Sequence, residues 1–333
     1  SKILLKAGGR SLLVDCGLFQ GLKALRLRNW APLAVAPKSI DGVLLTHAHL
    51  DHSGYLPVLI KHGFSGRVHS TFGTRDLCKI LLADAGHLQE EEARYANKHA
   101  LSRHAPALPL YTRQEALASM DYFSPVRFRQ AVQIASVFSS ILVPAGHLLG
   151  AASAVVDVAG RRFVFSGDLG RQHDVIMQPP TQVEAADYLV VESTYGNRLH
   201  ATGDPAREPE AVLAAAITRA VARGGTIVIP AFAVGRAQAV MYLLWQLRQR
   251  RAIPSLPIYL DSPMAADATR LYQQHASEHR LTAEQCRAAF SVAHIVKTPE
   301  ESQALNSRAG PMLIISASGM ATGGRVLHHL KAF

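Results

Sequence analysis

A chain of 333 residues with 48% hydrophobic and 18% charged content is long enough for one large or two medium domains with buried cores. Three cysteines without short paired spacing, Cys16, Cys78 and Cys286, argue against a disulfide framework or a cysteine-based zinc finger and fit a reducing cytoplasm. The net charge of +10 comes from 26 Arg and 9 Lys against 25 Asp and Glu, and because Arg grips phosphate with two donors, this balance favours a polyanionic partner.

Short strand-like runs recur through the first half: Ser11 to Asp15, Gly42 to Thr46, Ser140 to Val143, Ala154 to Val158 and Arg162 to Ser166. Each ends at Gly, Pro, Asp or His, which gathers polar residues at strand ends. A helix is expected after the histidine-rich segment at 47–52, with Ser53 near its cap and Pro57 in its first turn. From Asp76 to Arg103 the pattern is helical, and Glu90-Glu91-Glu92 reads as a solvated face. The most membrane-like stretch, Ala131 to Val158, is interrupted by Pro144, Gly146, His147 and Asp157, so it reads as successive buried strands and no spanning helix is expected. No basic segment followed by an apolar run opens the chain, so no signal peptide is expected.

After about Gly196 the regime changes. Helical stretches (Glu208 to Arg223, Val234 to Arg250, Ala265 to His275, Glu300 to Ser307) alternate with apolar runs (Thr226 to Ile229, Pro257 to Leu260, Ala293 to Val296, Met312 to Ile315). That alternation predicts parallel strands covered by helices. A last helix is expected from Arg325 to Phe333, after Gly323-Gly324.

The chemistry concentrates in His47-Ala48-His49-Leu50-Asp51-His52, directly after the apolar run Val43-Leu44-Leu45. Imidazole and carboxylate together suit a borderline divalent ion such as zinc. Four candidate ligands exceed the three that a catalytic zinc takes from protein while keeping a place for water, so a two-metal site is the natural reading. Two further candidates stand at strand ends downstream: His147 after Gly146, and Asp168 after Gly167.

In this order the residues resemble the metallo-β-lactamase superfamily: an Asp after a strand (Asp15), the HxHxDH loop, a Gly-His and a Gly-Asp. The resemblance implies that His47, His49 and His147 hold one zinc, that Asp51 and His52 hold a second, and that Asp168 bridges both. Asp15 would orient a ligand from behind it. Asp51 would also orient the attacking water. The later segments Val191 to Arg198, Ile229 to Gln238, Asp261 to Ala265, and Ser316 to Met320 with Gly323-Gly324-Arg325 resemble the β-CASP branch, which processes nucleic acids. By that likeness Glu192 is the first acidic motif residue of the branch and takes part in catalysis.

The fold implied is α/β: a metallo-β-lactamase αββα sandwich, residues 1–196, and a β-CASP parallel-sheet domain, residues 197–333. Relatives begin about one strand earlier and carry two more motif histidines after the segment matching Gly323-Gly324-Arg325. The chain is therefore expected to be a stretch of a longer protein, with its second metal site incomplete. The expected activity is zinc-dependent hydrolysis of phosphodiester bonds in single-stranded RNA, as an endonuclease, a 5′-exonuclease or both. Arg236 and Arg325, each after a glycine turn near a helix start, are candidates for RNA phosphate contact. A homodimer or a processing complex is the expected assembly, in the cytoplasm and without a membrane. The alternatives are a β-CASP DNA repair nuclease and a small-molecule hydrolase of thioesterase or lactamase type, although a separate α/β domain is unnecessary for a small substrate.

Overall fold

The computed structural model describes residues 1–199 and 209–333. It divides into two compact units, one of Ser1–Asp174 and Gln178–Glu192, the other of Val175–Met177 and Ser193–Phe333.

The first unit contains two five-stranded sheets. In the first sheet, β1 (Ile3–Ala7) and β2 (Arg10–Val14) form an antiparallel hairpin. The sheet continues in parallel through β3 (Gly42–Leu44), β4 (Arg67–Thr71) and β5 (Phe123–Val126). Between these strands run the short α1 (Lys23–Leu27), then α2 (Leu50–Ser53), α3 (Leu56–Lys61), the long α4 (Phe72–Lys98) and α5 (Arg113–Ala118). The second sheet is built from β6 (Ala131–Ile134), β7 (Phe138–Pro144), β8 (Ala152–Val158) and β9 (Arg161–Phe165) in antiparallel order, with β10 (Tyr188–Val190) added parallel to β9.

The two sheets pack face to face. Leu12, Val14, Leu44 and Val126 of the first meet Phe138, Leu142, Ala154, Val156 and Phe165 of the second in one buried cluster. The other face of the first sheet is covered by helices, α4 lying against β4 and β5. Covered on both sides, β2 is buried at every position from Ser11 to Val14, which is why it reads as an apolar run without alternation. Helix, sheet and sheet are three of the four layers expected of the αββα sandwich, and they are the ones formed among the described residues of this unit.

The second unit holds one parallel four-stranded sheet in the order β11 (Ile227–Pro230), β14 (Leu313–Ser316), β12 (Ile258–Asp261), β13 (His294–Ile295). The expected alternation is realised with α6 (Pro209–Ala222), α7 (Arg236–Gln249), α8 (Pro263–Gln274), α9 (Ala283–Phe290), α10 (Pro299–Asn306) and α11 (Val326–Ala332). Glu208, expected to open the first of these helices, lies outside the described residues. Ser262 caps α8, its hydroxyl accepting from Ala265 N at 3.2 Å, with Pro263 in the first turn, where the missing N–H costs nothing.

One local expectation changes. The helix after the histidines does not start near Ser53, because the Ser53 hydroxyl bonds back to the carbonyls of Ala48 and His49 at 2.8 and 3.1 Å and closes the turn instead of opening it. Asp51 and His52 are therefore helical themselves, in α2, with α3 following and carrying Pro57.

This turn is held against the segment after β2 by Cys16 N to His52 O at 2.7 Å, Leu18 N to Leu50 O at 2.8 Å and Tyr55 N to Cys16 O at 2.8 Å. The approach requires glycine at position 17, where a Cβ would stand 1.6 Å from the Asp51 carbonyl oxygen. Gly17→Ala is expected to cost at least about 1–3 kcal/mol, the scale of overpacking in a filled interior, as measured by urea unfolding of the purified variant.

Candidate metal centre

The candidate ligands collect at one end of the sandwich because each follows a strand. Asp15 leaves β2, His47 to His52 follow β3, His147 sits in the β7–β8 connection, Asp168 follows β9 and Glu192 follows β10. Ala152 N to Thr46 O at 2.9 Å ties the first histidine loop to β8, and Gly170 N to Ala145 O at 2.8 Å ties the Asp168 loop to the His147 loop.

Asp15 organises the floor of this site. It is almost fully buried and adopts a left-handed backbone with φ of 59°, which Asp tolerates better than most residues. Its Oδ1 accepts from Thr46 N at 2.8 Å and from the Thr46 hydroxyl at 2.9 Å. Its Oδ2 accepts from His52 Nδ1 at 2.7 Å. The Thr46 hydroxyl has one proton and gives it to Asp15, so toward His47 Nδ1, 3.1 Å away, it can only accept. His47 is thereby fixed as the Nδ1–H tautomer, and its Nε2 presents a lone pair.

That Nε2 is buried without any hydrogen-bond partner. Burial, reinforced by the neighbouring His52, His49 and His147, holds His47 well below the ordinary histidine range, so the ring stays neutral. His49 is brought down to about 4 by burial and by His147, and burial also lowers His147. Ligand atoms of His47, His49, His147 and Asp168 all lie within 4.8 Å of one another. Three neutral imidazoles and a carboxylate facing a shared space, one with an orphaned lone pair, match the donor set of a divalent metal.

His52 differs. Burial disfavours its charged form, but Asp15 and Asp168 outweigh that and lift it to about 9. Its Nε2 is 3.3 Å from Asp168 Oδ1 and 3.6 Å from Asp51 Oδ2. The other oxygen of Asp168, Oδ2, faces His147 Nε2 at 3.5 Å and His47 Nε2 at 3.7 Å. The two oxygens of one carboxylate thus face in different directions, Oδ1 toward His52 and Oδ2 toward His47 and His147. The structure brings together all six residues singled out as metal ligands, with Asp51 the most open, its side chain 48% exposed.

Glu192 reaches the site through the backbone. Its Oε1 accepts from Leu169 N at 2.6 Å, and its own N–H donates to the Ser166 hydroxyl at 3.0 Å, so it fixes the loop that carries Asp168. Thr46 and Ser166 belong to no motif in the sequence, and their one local signal is a position at a strand end close to a candidate ligand.

In the second unit Arg236 is exposed at the first residue of α7, after Gly235 with φ of 83°. Arg325 is not free: its Nη1 lies 2.7 Å from Asp261 Oδ1. The Asp261 carboxylate also takes the Ser302 hydroxyl at 2.5 Å and His329 Nε2 at 2.7 Å.

The chain belongs to the metallo-β-lactamase superfamily, whose family model matches residues 3–230, and its residues 237–333 match the Beta-Casp domain. It is 37% identical to Ribonuclease TTHA0252 of Thermus thermophilus, over 98% of this chain and 72% of that protein. It is 29% identical to the transcription termination factor FttA of Methanosarcina mazei, over 100% of this chain and 52% of that protein. Likeness to the cleavage and polyadenylation specificity factor subunit 3-I of Arabidopsis thaliana is 33% over 80% of this chain and 36% of that protein. The chain thus spans most of the first relative but only about half or less of the other two. A solved structure from Enterococcus faecalis V583, a protein of unknown function, shares the fold with a TM-score of 0.50 at 14% identity, over 95% of this chain and 74% of that one.

Two outcomes follow for Asp15. In the metal-free protein, protonated His52 contributes stability that is complete below about pH 6.5, its ordinary value, and is lost as pH rises through about 9. Asp15→Asn should flatten that dependence in urea unfolding across the same range. In the metal-loaded protein the same variant should lose about 10–100-fold in metal affinity or activity, the usual effect of removing a ligand's supporting partner.

Proposed function

We propose that this chain forms the catalytic part of a metal-dependent hydrolase that cuts phosphodiester bonds in single-stranded RNA and works with two zinc ions. The observation that carries the reading is the Asp168 carboxylate, with one oxygen toward His47 and His147 and the other toward His52. His47, His49 and His147 would hold one zinc, Asp51 and His52 the other, and Asp168 would serve both. Zinc in such a set lowers the pKa of water and stabilises charge on a phosphoryl oxygen.

The chain's own residues do the rest. Asp51 is open enough to take a hydrogen bond from the attacking water and orient it. His47 is held in one tautomer by Thr46, and His52 is held in place by Asp15. Glu192 keeps the Asp168 loop from drifting away from the imidazoles through its bond to Leu169 N. RNA as substrate is supported by the names of the relatives, a ribonuclease among them. DNA repair and small-molecule hydrolysis have no such support. Arg236, exposed at a helix start, is assigned to phosphate contact. Three free, buried cysteines fit a cytoplasmic protein, and among the described residues no helix is long and apolar enough to cross a membrane. A homodimer or a processing complex is retained as the working assembly.

Elemental analysis of the full-length protein should find about two zinc per chain. Asp168→Ala should lose both ions and all cleavage of a labelled single-stranded RNA, and retention of either ion with full activity would refute the shared role. Affinity for that RNA should fall steeply with salt as counterions are released. Arg236→Ala should weaken binding evenly across sequences and reduce the salt slope by about one.

A further inference from the structure

Between Asp15 and Asp41 the chain carries Lys23, Arg26, Arg28 and Lys38 and not a single carboxylate. The segment Phe19 to Trp30 within this stretch is closed at its base by Asn29. This buried amide accepts from Phe19 N at 2.8 Å and donates to Phe19 O at 2.8 Å. The loop is therefore anchored, yet what it presents is apolar and exposed: α1 buries no residue, Leu22 is 75% exposed and Trp30 58%. Arg28 lies over the Phe19 ring, 5.2 Å from its centroid.

Such a surface is unusual on a soluble face, where apolar side chains of this size gathered together mark a binding site. Its position is informative. The residues leading into it, Cys16 to Leu18, bond to the backbone of Leu50 and His52, and Gly17 abuts the Asp51 carbonyl, so the loop emerges beside the metal ligands. Aromatic rings interleaved with arginines, in a segment that itself carries no carboxylate, match what single-stranded nucleic acid offers: base faces to stack on and phosphates to neutralise.

We propose that the Phe19–Trp30 loop is a nucleotide subsite flanking the metal centre, in which Trp30 stacks on an unpaired base of the RNA while Arg26 and Arg28 contact neighbouring phosphates. The inference rests on the RNA reading above and adds a named contact that positions the strand over Asp51 and His52. Duplex RNA, whose bases are already stacked, gains nothing from Trp30, so the subsite selects for single strands.

The test uses the full-length, metal-loaded protein and a labelled single-stranded RNA. Trp30→Ala should raise KM roughly tenfold with kcat little changed, while Trp30→Phe keeps most of the affinity. Tryptophan fluorescence should be quenched on titration with RNA, with the quenched component lost in Trp30→Ala and kept in Trp245→Phe. An abasic strand of the same length should bind wild type and Trp30→Ala alike. Arg26→Gln with Arg28→Gln should lower the salt slope by one to two, about one per lost phosphate contact. Because Trp30 is exposed, an unchanged melting temperature accompanies these effects. If wild type binds and cuts RNA and Trp30→Ala does so equally well, the subsite is wrong while the nuclease reading stands. If wild type neither binds nor cuts RNA, both fall. If Trp30→Ala instead turns a dimer into a monomer, or releases the protein from anionic lipid vesicles, with RNA affinity unchanged, the loop serves another partner and the proposal is overturned.

Discussion

The site depends on one buried carboxylate. Asp15 takes up every proton that Thr46 and the inner face of His52 can offer, and that demand sets the hydrogen-bond order of the whole cluster. Because Thr46 spends its proton on Asp15, His47 must direct its own Nδ1–H at Thr46 and leave Nε2 bare. Because Oδ2 of Asp15 holds His52 from behind, the opposite nitrogen points at Asp168 and Asp51. Two imidazoles in nearly the same place thus have opposite tendencies, one kept neutral and one raised to about 9. Were a metal held by His52, it would compete with that proton, whereas His47 would offer it a lone pair already free.

The fold supports that order by placing ligands where strands end. A strand covered on both faces keeps its charged residues at its ends, so polar groups appear where the chain emerges, and the parallel order of β2, β3 and β4 brings such ends together. The histidine loop was legible for this reason, and His147 and Asp168 stood at strand ends too, but it was the family resemblance that joined them, and Asp15, to that loop. The alternation of the second unit was legible for the same reason, with every expected apolar run becoming a strand of one parallel sheet.

What was not legible has particular causes. Arg67–Thr71 contains His69, Ser70 and Thr71, which read as polar, yet the strand is buried from Val68 onward because both of its faces are covered. Phe123–Val126 contains Pro125, which reads as a break, but β5 is an edge strand where a missing donor is tolerated. Helix α9 is too short to show a clear period. Its one signal is Thr282 three residues before Gln285, which form a reciprocal cap with bonds of 2.9 and 3.1 Å. Arg325 looked available for phosphate because its partner Asp261 is far away in sequence, at the end of β12, and nothing local announces the pairing.

Asp261 deserves comparison with Asp15, since both close a parallel strand and both hold an imidazole. At Asp261 burial favours the neutral acid, but His329, Ser302 and Arg325 reverse this and keep the carboxyl below its ordinary value. The ring of His329 is bonded at both nitrogens, to Asp261 Oδ2 and to Asn306 Oδ1, each at 2.7 Å, so it has no lone pair or proton directed elsewhere. This is a closed arrangement, with its histidine fully committed to protein partners, whereas the cluster at Asp15 leaves His47 Nε2 unmatched. The Asp261 node instead fastens α10 and α11 to the sheet through Ser302 and His329, and fixes Arg325 after the glycine turn. Any contribution of Arg325 to substrate is therefore made by a guanidinium whose position is set in advance, at one of its nitrogens, by Asp261.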